Sequence, residues 1–481
     1  METQDWFGEL LPGTFDEVFA APGQPRPHYR SLLSRMTSLS REELRARLGL
    51  IDLAFRDQGV TFRLHSEEQS PERPFPLDIL PRLIPAREWE EVVSGLVQRV
   101  RALNAFLNDI YHDQCALRDQ VVPADLVLAH PAFCREVAGI DLPFGVYTHV
   151  AGIDLIRDAS GTYRVLEDNL RTPSGVSYLL ANRRVMTQAV PDLLRGQKVR
   201  LVEHYPDLLL ETLRSLSPRD VVDPTVVVLT PGPYNSAYFE HMFLAQQMGV
   251  ELVEGADLYV DGGRVWMRSL SGPAQVDVIY RRIDDAYLDP LCFRPDSMLG
   301  VTGLISVFRE GRVALANAPG SGVADDKALY AYVPRLIRYY LQEEPILANV
   351  ETYLGSDPDQ LEYLLAHARE LVIKRVDQSG GYGMLIGSEA EPDALARYLA
   401  EVRRQPSCYV AQPRMELSAH PTYCADTERF EPRRIDLRPF ILSGEQIQVL
   451  PGGLTRVALK RGSTVVNSSQ GGGSKDTWVV G

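Results

Sequence analysis

Apolar residues in the first part of the chain recur at three- and four-residue spacing. The segments REELRARLGLIDLAF and EWEEVVSGLVQRVRALNAFLNDIYHD both carry this pattern, which is typical of amphipathic helices that bury one face. Residues 1–115 are therefore predicted to form a helical N-terminal region.

A mixed pattern follows over residues 116–195. The segments THVAGIDLIRD and TYRVLEDN have the alternation of two strands, and Ala159, Ser160 and Gly161 between them form a short turn sequence, as expected of a β-hairpin. The segment SYLLANRRVMTQAV should then form a helix. This region is predicted to be a hairpin followed by a helix.

The remaining chain alternates strand and helix signals. Within residues 196–310, the segment TVVVLTPGPYNSAYFEHMFLAQQMGVELVEGADL predicts strand, Gly/Pro loop, helix and strand, which indicates a small parallel α/β unit. Residues 311–430 contain the strand-rich ELVIKRVDQSGGYGMLIG and the helical DALARYLAEVRR, and residues 431–481 contain the strand-rich RRIDLRPFILSGEQIQVL. The fold class is therefore α/β, with α+β regions in several packed units.

Composition limits the classes of function. The chain has 481 residues and is 45% hydrophobic, enough for a sizeable core. Its net charge of −14 argues against non-specific nucleic-acid binding, which needs a basic surface. No apolar run of about 18 residues occurs and the N-terminus is acidic, which predicts a cytoplasmic protein without a membrane partner. The cysteines, Cys115, Cys134, Cys292, Cys408 and Cys424, are scattered and are predicted to be reduced.

The predicted hairpin ends in three polar residues, Glu167, Asp168 and Asn169. Strand alternation puts Glu167 and Asn169 on one face and Asp168 on the other, and Asp154 on the first strand could join that face. Hard cations such as Mg2+ take carboxylate and amide oxygens together with phosphate oxygens. The pattern therefore favours a metal-nucleotide site, although a surface hairpin with solvated acids would have the same sequence.

A second polar motif follows an apolar strand in the last third of the chain. The strand carries Lys374, and Ser379 to Gly383 follow it as SGGYG. Glycines let backbone N–H groups approach phosphate oxygens, and the lysine supplies charge. The motif matches neither the P-loop nor G-x-G-x-x-G. A phosphate-binding loop and an ordinary hairpin turn beside a solvated lysine both fit this stretch.

Taken together, these segments resemble the circularly permuted ATP-grasp family (type 2), which is related to glutathionylspermidine synthetase-like proteins. The resemblance covers roughly residues 25–481 and rests on GIDLIRDASGTYRVLEDNLRTPSGVSYLLANR, YRRIDDAYLDPL, ANAPGSGVADDKAL, VIKRVDQSGGYG, RRIDLRPFIL and GGLTRVALKRGSTVVNSSQGGGSKDTWV. It implies a circularly permuted ATP-grasp fold. Residues 116–195 would hold the metal site, 196–310 a pre-ATP-grasp-like unit, 311–430 the nucleotide-binding lobe, and 431–481 would complete the core.

The resemblance also implies ATP and Mg2+ as cofactors and assigns site residues. Metal ligands would be Asp154, Glu167 and Asn169. ATP contacts would be Lys327, Lys374, the loop Ser379, Gly380, Gly381, Tyr382 and Gly383, the backbone near Ala411 and Gln412, and Arg438. Because Glu167 precedes Lys374 by about two hundred residues, the reverse of the ordinary ATP-grasp order, the segment after about residue 430 should join the sheet of the 147–170 hairpin.

One position departs from the family pattern. Synthetase relatives tend to carry an arginine two residues before the metal aspartate, where it can assist phosphoryl transfer, and this chain has Gly152 there. Candidate replacements are Arg157, Arg171 and Arg282. Arg281 and Arg282, in YRRIDD, could instead bind an acceptor carboxylate bidentately or form structural salt bridges. Neither an amidase domain of the kind fused to some glutathionylspermidine synthetases nor a set of polyamine-binding residues is recognised in the sequence, so a glutathione and spermidine substrate pair is not expected.

The function implied by the resemblance is an ADP-forming carboxylate–amine ligase that passes through an acyl phosphate and acts on an amino acid or peptide. Arg282, Arg438 and Lys374 would be its catalytic residues. An ATP-binding partner protein without catalysis and a kinase with a stable phosphorylated product are the alternatives, and a homo-oligomer or a pathway protein partner stays open. His149 is assigned no role. The glycine-rich run 467–476 would be a mobile lid or a merely flexible terminus.

Overall fold

The computed structural model describes residues 6–62, 73–218, 221–376, 383–460, 462–463, 466 and 472–481. Helices within these ranges are α1 (Arg30–Ser38), α2 (Arg41–Asp57), α3 (Ala86–Ile110), α4 (Cys115–Arg118), α5 (Ala124–Leu128), α6 (Val176–Ala189), α7 (Pro191–Leu194), α8 (Tyr205–Ser215), α9 (Tyr238–Met248), α10 (Leu304–Arg309), α11 (Lys327–Tyr330), α12 (Val333–Leu336), α13 (Pro358–Ala366) and α14 (Pro392–Arg404). None of these described helices combines the length and the apolar character needed to span a bilayer.

Strands occur along the whole described chain. They are β1 (Phe19–Ala21), β2 (Gln24–Pro25), β3 (Thr61–Phe62), β4 (Arg73–Pro74), β5 (Leu77–Pro85), β6 (Val150–Arg157), β7 (Tyr163–Asn169), β8 (Val226–Leu229), β9 (Glu251–Val253), β10 (Leu258–Asp261), β11 (Arg264–Met267), β12 (Ala274–Val276), β13 (Val278–Arg281), β14 (Ala314–Ala316), β15 (Ala348–Asn349), β16 (Tyr353–Leu354), β17 (Leu371–Arg375), β18 (Leu385–Ile386), β19 (Tyr409–Pro413), β20 (Ala419–Cys424), β21 (Arg429–Arg434), β22 (Phe440–Ser443), β23 (Ile447–Val449), β24 (Thr455–Val457) and β25 (Gly473–Val480). The predicted α/β class is confirmed.

A five-stranded sheet with the order β15-β7-β6-β22-β23 holds the predicted hairpin; we call it the hairpin sheet. Strands β6 and β7 pair antiparallel around the turn at residues 158–162. Strand β22 pairs antiparallel with β6, with Phe440 opposite Gly152. The prediction that the C-terminal segment joins this sheet is therefore confirmed, and the pairing explains how a permuted chain restores one continuous sheet.

Helix α3 holds the hairpin sheet from the side opposite the polar face. Arg99 of α3 binds Asp168 of β7 through two hydrogen bonds, from Nε to Oδ1 and from Nη2 to Oδ2, each of 2.6 Å. Both side chains are about 1% exposed. Asp168 thus faces away from Glu167 and Asn169, as alternation predicts, and its buried charge is compensated by a bidentate guanidinium.

A second sheet with the order β16-β19-β17-β18 forms a smaller lobe; we call it the lobe sheet. Helices α13 and α14 pack on it through a separate hydrophobic cluster that includes Leu364, Ile373, Leu395, Val402 and Ala411. Because this cluster is separate from the main core, the lobe is a distinct packing unit. It carries Lys374 on β17 and Gln412 on β19.

The predicted small α/β unit is a parallel sheet with the order β14-β13-β8-β9. Its strands are nearly continuous runs of buried aliphatic residues, VVVL in β8 for example, which is typical of a parallel sheet covered on both faces. The fourth strand, β14, lies beyond residue 310. The sheet therefore extends a few residues past the predicted boundary of this unit.

The N-terminal region is helical but also contains a long strand. Helix α2 begins with a capping box in which the Ser40 Oγ accepts from the N–H of Glu43 and the Glu43 carboxylate accepts from the N–H of Ser40. Strand β5 pairs in parallel with β25. All eight residues of β25 are buried, and Lys475 forms an ion pair with Asp78.

Part of the glycine-rich run 467–476 belongs to strand β25. Residues 467–471 of that run lie outside the described residues. The segment from Gly473 onward is a buried strand instead of part of a lid. Distant pairing with β5 overrides the flexibility that the local glycine content predicted. All five cysteines have free thiols, as predicted.

Candidate nucleotide and metal site

The register of the hairpin brings the three predicted metal ligands to one face. Asp154 lies directly opposite Glu167, and Gly152 lies opposite Asn169. Directly opposed residues in an antiparallel pair point to the same side of the sheet. Asp154, Glu167 and Asn169 therefore share a face.

A narrow cleft separates the hairpin sheet from the lobe sheet. Its lining includes seven residues with charged or amide side chains, Glu167, Asp168, Asp325, Asp326, Lys327, Lys374 and Gln412, of which Asp168 has its carboxylate bound by Arg99. Four of these, Glu167, Lys327, Lys374 and Gln412, were predicted from sequence. The free space between them is about 10 Å3, room for roughly one water molecule. A larger ligand therefore fits only if residues of the lining move.

Lys374 reaches the cleft from the lobe sheet. Its Nζ donates a hydrogen bond of 2.7 Å to Gln412 Oε1, and Gln412 Nε2 donates to Thr352 Oγ1 at 3.0 Å. Burial lowers the pKa of Lys374, and the nearby Glu167 carboxylate opposes this shift. The Lys374 ammonium group is thus poorly hydrated, and its charged form is supported by the neighbouring carboxylate.

Lys327 reaches the cleft from the first residue of α11. Its Nζ lies 3.4 Å from Glu167 Oε1. Asp326 fixes the start of this helix because its Oδ1 accepts from the N–H groups of Ala328 and Leu329 at 2.7 and 3.0 Å. The cap orients Lys327 towards the hairpin sheet, so Lys327 contacts Glu167 and lines the same cleft as Lys374.

Asp325 is a cleft residue that the sequence interpretation missed. Its Oδ1 accepts from the N–H groups of Leu170 and Arg171, at 2.6 and 3.3 Å. Burial raises the pKa of Asp325, while Arg171 opposes the increase. The signal was available in ADDKAL, where two acids precede Lys327, but only the lysine was singled out.

Asp154 is held by two arginines from the C-terminal segment. Arg438 donates from Nε to Oδ1 at 2.5 Å and from Nη2 to Oδ2 at 2.8 Å, and Arg456 Nη2 donates to Oδ2 at 2.8 Å. Arg456 also binds Asp436. Although burial opposes ionisation, the two guanidinium groups hold the pKa of Asp154 well below its usual range.

These contacts decide how well a divalent cation fits. Glu167 is partly exposed to the cleft, and Asn169 leaves its Nδ2 buried without a hydrogen-bond partner among the described residues. Both residue types suit Mg2+. The Asp154 carboxylate is already occupied by Arg438 and Arg456, so a cation there would have to displace a guanidinium. Within the described ranges no cluster of three or more His, Cys, Asp or Glu forms a ready metal site.

Arg438 occupies the space beside Gly152. A Cβ at position 152 would lie 3.3 Å from Arg438 Cδ and 3.1 Å from Pro173 Cβ. An arginine at position 152 would therefore collide with this arrangement. Arg438, two residues before β22, supplies a guanidinium next to Asp154, which gives a structural reason for glycine at this position.

The other arginine candidates occupy different surroundings. Arg282 is buried, with Nη2 at 2.7 Å from Ser174 Oγ and 3.1 Å from Glu240 Oε1. Arg281 is likewise buried, and its guanidinium donates to the Asn317 carbonyl at 2.6 Å. Both arginines therefore make the structural contacts that were the alternative to substrate binding.

Arg157 and Arg171 are the other two candidate replacements for an arginine at position 152. Arg157 lies at the other end of β6, where it binds Glu17 and Glu88. Arg171 borders the cleft, with Nη1 at 3.2 Å from Asp284 Oδ1 and Nε at 4.0 Å from Asp325 Oδ2. Of this pair, only Arg171 is near the predicted nucleotide contacts.

The remaining predicted ATP contacts lie in or next to the lobe sheet. Ala411 is fully buried between Tyr353 of β16 and Ile373 of β17. Gly383 has a positive φ of 63° and accepts a hydrogen bond of 2.6 Å from the Tyr398 hydroxyl. Residues Ser379, Gly380, Gly381 and Tyr382 lie outside the described residues, so the glycine loop stays a prediction.

A cleft between two sheets, with Lys374 on the lobe sheet, a Glu-x-Asn hairpin on the other sheet and Lys327 reaching in from helix α11, is the arrangement of the ATP-grasp class of fold. The chain belongs to the circularly permuted ATP-grasp type 2 family, whose model matches residues 81–458. This result confirms the predicted family and fold.

Individual relatives and a solved structure agree with this membership. An uncharacterized protein of Synechocystis sp. is 54% identical over 98% of this chain and 98% of its own length. A Frankia casuarinae protein named "Putative glutamate--cysteine ligase 2-2" is 42% identical over 97% of this chain, which spans 54% of that protein. A glutathione synthetase-like effector from Globodera pallida has a TM-score of 0.58 at 11% identity, covering 92% of this chain and 98% of its own; this likeness concerns the fold alone.

Proposed function

We propose that the protein is an ATP-dependent, ADP-forming carboxylate–amine ligase that joins an amino acid or peptide to an amine through an amide or peptide bond. The observation that carries the proposal is the meeting of Lys374 and Lys327 with Glu167 in one cleft between two sheets. Family membership and the name of the Frankia relative support the ligase class.

The proposed reaction has two steps. A substrate carboxylate oxygen attacks the γ-phosphorus of ATP, the bond between that phosphorus and the bridging oxygen breaks, and ADP leaves. The amine nitrogen then attacks the acyl carbon, phosphate leaves with the electron pair of the C–O bond, and the amine loses a proton to solvent. No side-chain nucleophile is required, so the protein contributes positioning and charge.

The residues of the cleft have separate roles in this proposal. Lys374 and Lys327 bind the triphosphate, and Arg438 binds the transferred phosphoryl group once its contact with Asp154 is exchanged. Mg2+ would be held by Glu167 and Asn169, where it neutralises phosphate charge; Asp325 is an additional acid beside them. The ligand role of Asp154 stays a prediction, because its present partners must first move.

A second candidate function is an ATP-binding partner protein that supports another enzyme without turnover. The observation that favours it is that arginines near the site already form ion pairs within the protein. Arg282 binds Glu240, and both oxygens of Asp154 are bound by guanidinium groups. In the Frankia relative, a region similar to this chain makes up about half of a longer protein.

The test is to incubate the full chain with ATP, Mg2+ and pools of amino acids and short peptides, and to follow ADP and new product masses together. A product equal to acid plus amine minus water supports the ligase, and ADP with a stable phosphorylated product, without a hydroxylamine-trappable acyl phosphate, indicates a kinase. Glu167→Gln should abolish ADP formation, whereas Glu401→Gln on the exposed face of α14 should not. ATP binding without ADP in any pool would contradict the ligase and favour the partner protein.

A further inference from the structure

A cavity of about 300 Å3 lies apart from the nucleotide cleft. Its lining includes Leu142, Val146, Leu216, Phe308 and Leu315 together with His149. None of these residues belongs to the cleft between the hairpin sheet and the lobe sheet. The cavity is therefore a separate feature of the small parallel sheet and the loop at residues 140–146.

The size and walls of the cavity distinguish it from a packing defect. Protein interiors contain few voids larger than a water molecule, whereas small-molecule sites begin at about 300 Å3 and are lined mainly by apolar side chains. The walls come from separate parts of the chain: the 140–146 loop, the end of α8 and strand β14. Leu216 and Leu315 are each no more than 2% exposed, so the cavity is supported by firmly packed residues.

His149 gives this apolar cavity a buried polar group. Both backbone polar groups of His149 are hydrogen-bonded: its N–H donates to Asn317 Oδ1 at 2.7 Å, and its carbonyl accepts from the N–H of Ser443 at 2.8 Å. Its side chain is 3% exposed, yet Nδ1 has no hydrogen-bond partner among the described residues. A buried ring nitrogen without a partner is unfavourable unless a ligand or water supplies one.

The charge at the cavity selects the type of ligand. Burial and the neighbouring Arg281 lower the pKa of His149 to about 3, so the imidazole is neutral near pH 7. The other polar side chain in the lining is Asp141, which is fully exposed at the rim and would repel an anion. An anionic ligand would lose its hydration without gaining a counter-charge from the lining, because the neighbouring Arg281 is already paired with Asp285.

We propose that this cavity binds a small uncharged amphiphile, with an apolar body among the aliphatic walls and one hydrogen-bonding group directed to His149. The proposal does not depend on ATP or on ligase activity. The cavity and the nucleotide site are adjacent along strand β6, because His149 directly precedes the strand that carries Asp154. The ligand would therefore contact the base of the strand that holds the predicted metal site.

The test uses the full chain and three bicyclic probes of similar shape: 2-naphthol, 2-naphthoate and 2-methylnaphthalene. Probe fluorescence and calorimetry, both without ATP, should give saturable binding of 2-naphthol and about tenfold weaker binding of the charged 2-naphthoate. His149→Phe keeps a ring of similar size and should weaken 2-naphthol about fivefold, the value of one hydrogen bond, while leaving 2-methylnaphthalene unchanged.

Cavity-filling variants locate the binding. Val146→Phe and Ala314→Leu should each weaken 2-naphthol by about tenfold or more, whereas Leu270→Ala, at a fully exposed position, should have no effect. Thermal unfolding identifies any variant that fails to fold. If one cavity-filling variant does not fold, the test rests on the other. The proposal is wrong if 2-naphthol does not bind, if both folded filling variants bind it normally, or if 2-naphthoate binds equally well.

Discussion

Arg438 binds Asp154 through two hydrogen bonds, from Nε to Oδ1 at 2.5 Å and from Nη2 to Oδ2 at 2.8 Å, across 284 positions of the chain. The contact joins the C-terminal segment to the hairpin at the proposed metal site. It is made possible by the pairing of β22 with β6. The contact between Arg438 and Asp154 therefore forms only when the C-terminal segment pairs with the hairpin, as the permuted chain order requires.

Arg456 compensates two buried carboxylates, those of Asp154 and Asp436. Arg456→Met should lower the free energy of unfolding by about 3–5 kcal/mol, because both acids would keep their charge with fewer partners. Urea unfolding followed by circular dichroism measures this. Arg404→Met, which breaks an exposed pair with Glu401, is the matched control and should have little effect; similar small losses for both variants would contradict the prediction.

Gly152→Ala tests whether the glycine makes room for Arg438. The added methyl would lie 3.1 Å from Pro173 Cβ and 3.3 Å from Arg438 Cδ, so we expect a destabilisation of about 1–3 kcal/mol from overpacking. ADP formation should also fall, since Arg438 must shift. Gly49→Ala in helix α2 meets no atom within 4 Å and should instead be neutral or slightly stabilising. Equal behaviour of the two variants would show that the space at Gly152 is not needed.

Lys374→Met tests the proposed nucleotide contact. The variant keeps most of the apolar stem and removes the Nζ that donates to Gln412, so ATP affinity should fall about tenfold or more through the loss of a charged hydrogen bond. Calorimetric titration with ATP and Mg2+ measures the change. Lys198→Met, at an exposed position, should bind ATP normally. An unchanged affinity in Lys374→Met would remove this lysine from the site.

His241 should make stability depend on pH. Burial, with a smaller effect of Arg282, lowers its pKa from the ordinary 6.5 to about 2. Between these values the unfolded chain binds a proton on this imidazole and the folded chain does not, so stability falls as the pH decreases.

Between about pH 7 and about pH 5 this single group should lower the free energy of unfolding by about 2 kcal/mol. His241→Gln should remove that share of the pH dependence in urea titrations at the two pH values. His204→Gln, at an exposed position, should retain the wild-type dependence. If His241→Gln retains it as well, the imidazole titrates normally in the folded protein.

The local sequence pattern was sufficient to predict the strands and the helix that carry the site. Alternation along TYRVLEDN predicted that Glu167 and Asn169 share a face and that Asp168 faces away, and the register of β6 with β7 confirms this. The hairpin turn and helix α6 follow from signals within a few residues. These features were predictable because strand and helix periodicity is a property of neighbouring residues.

Partnerships between distant residues were not predictable in the same way. Nothing near Arg282 in the sequence points to Glu240, and nothing near Asp154 points to Arg456, yet both pairs are buried. The glycine-rich C-terminus appeared flexible by composition, but Gly473 begins a strand that pairs with β5 near residue 77. Asp325 lines the cleft because its carboxylate binds the backbone just after β7. The sequence motif around it had indicated only Lys327.

The sequence by itself determined the order of elements, the family, and the residue types available for a phosphate and metal site, because periodicity and motifs are encoded over short distances. Tertiary structure decided which charges are paired. Whether Asp154 faces a cation or two arginines, and whether Arg282 faces a substrate or Glu240, depends on which distant strands pack together. Burial then makes each such pairing strong, since an unpaired charge in the interior is far more costly than one in water.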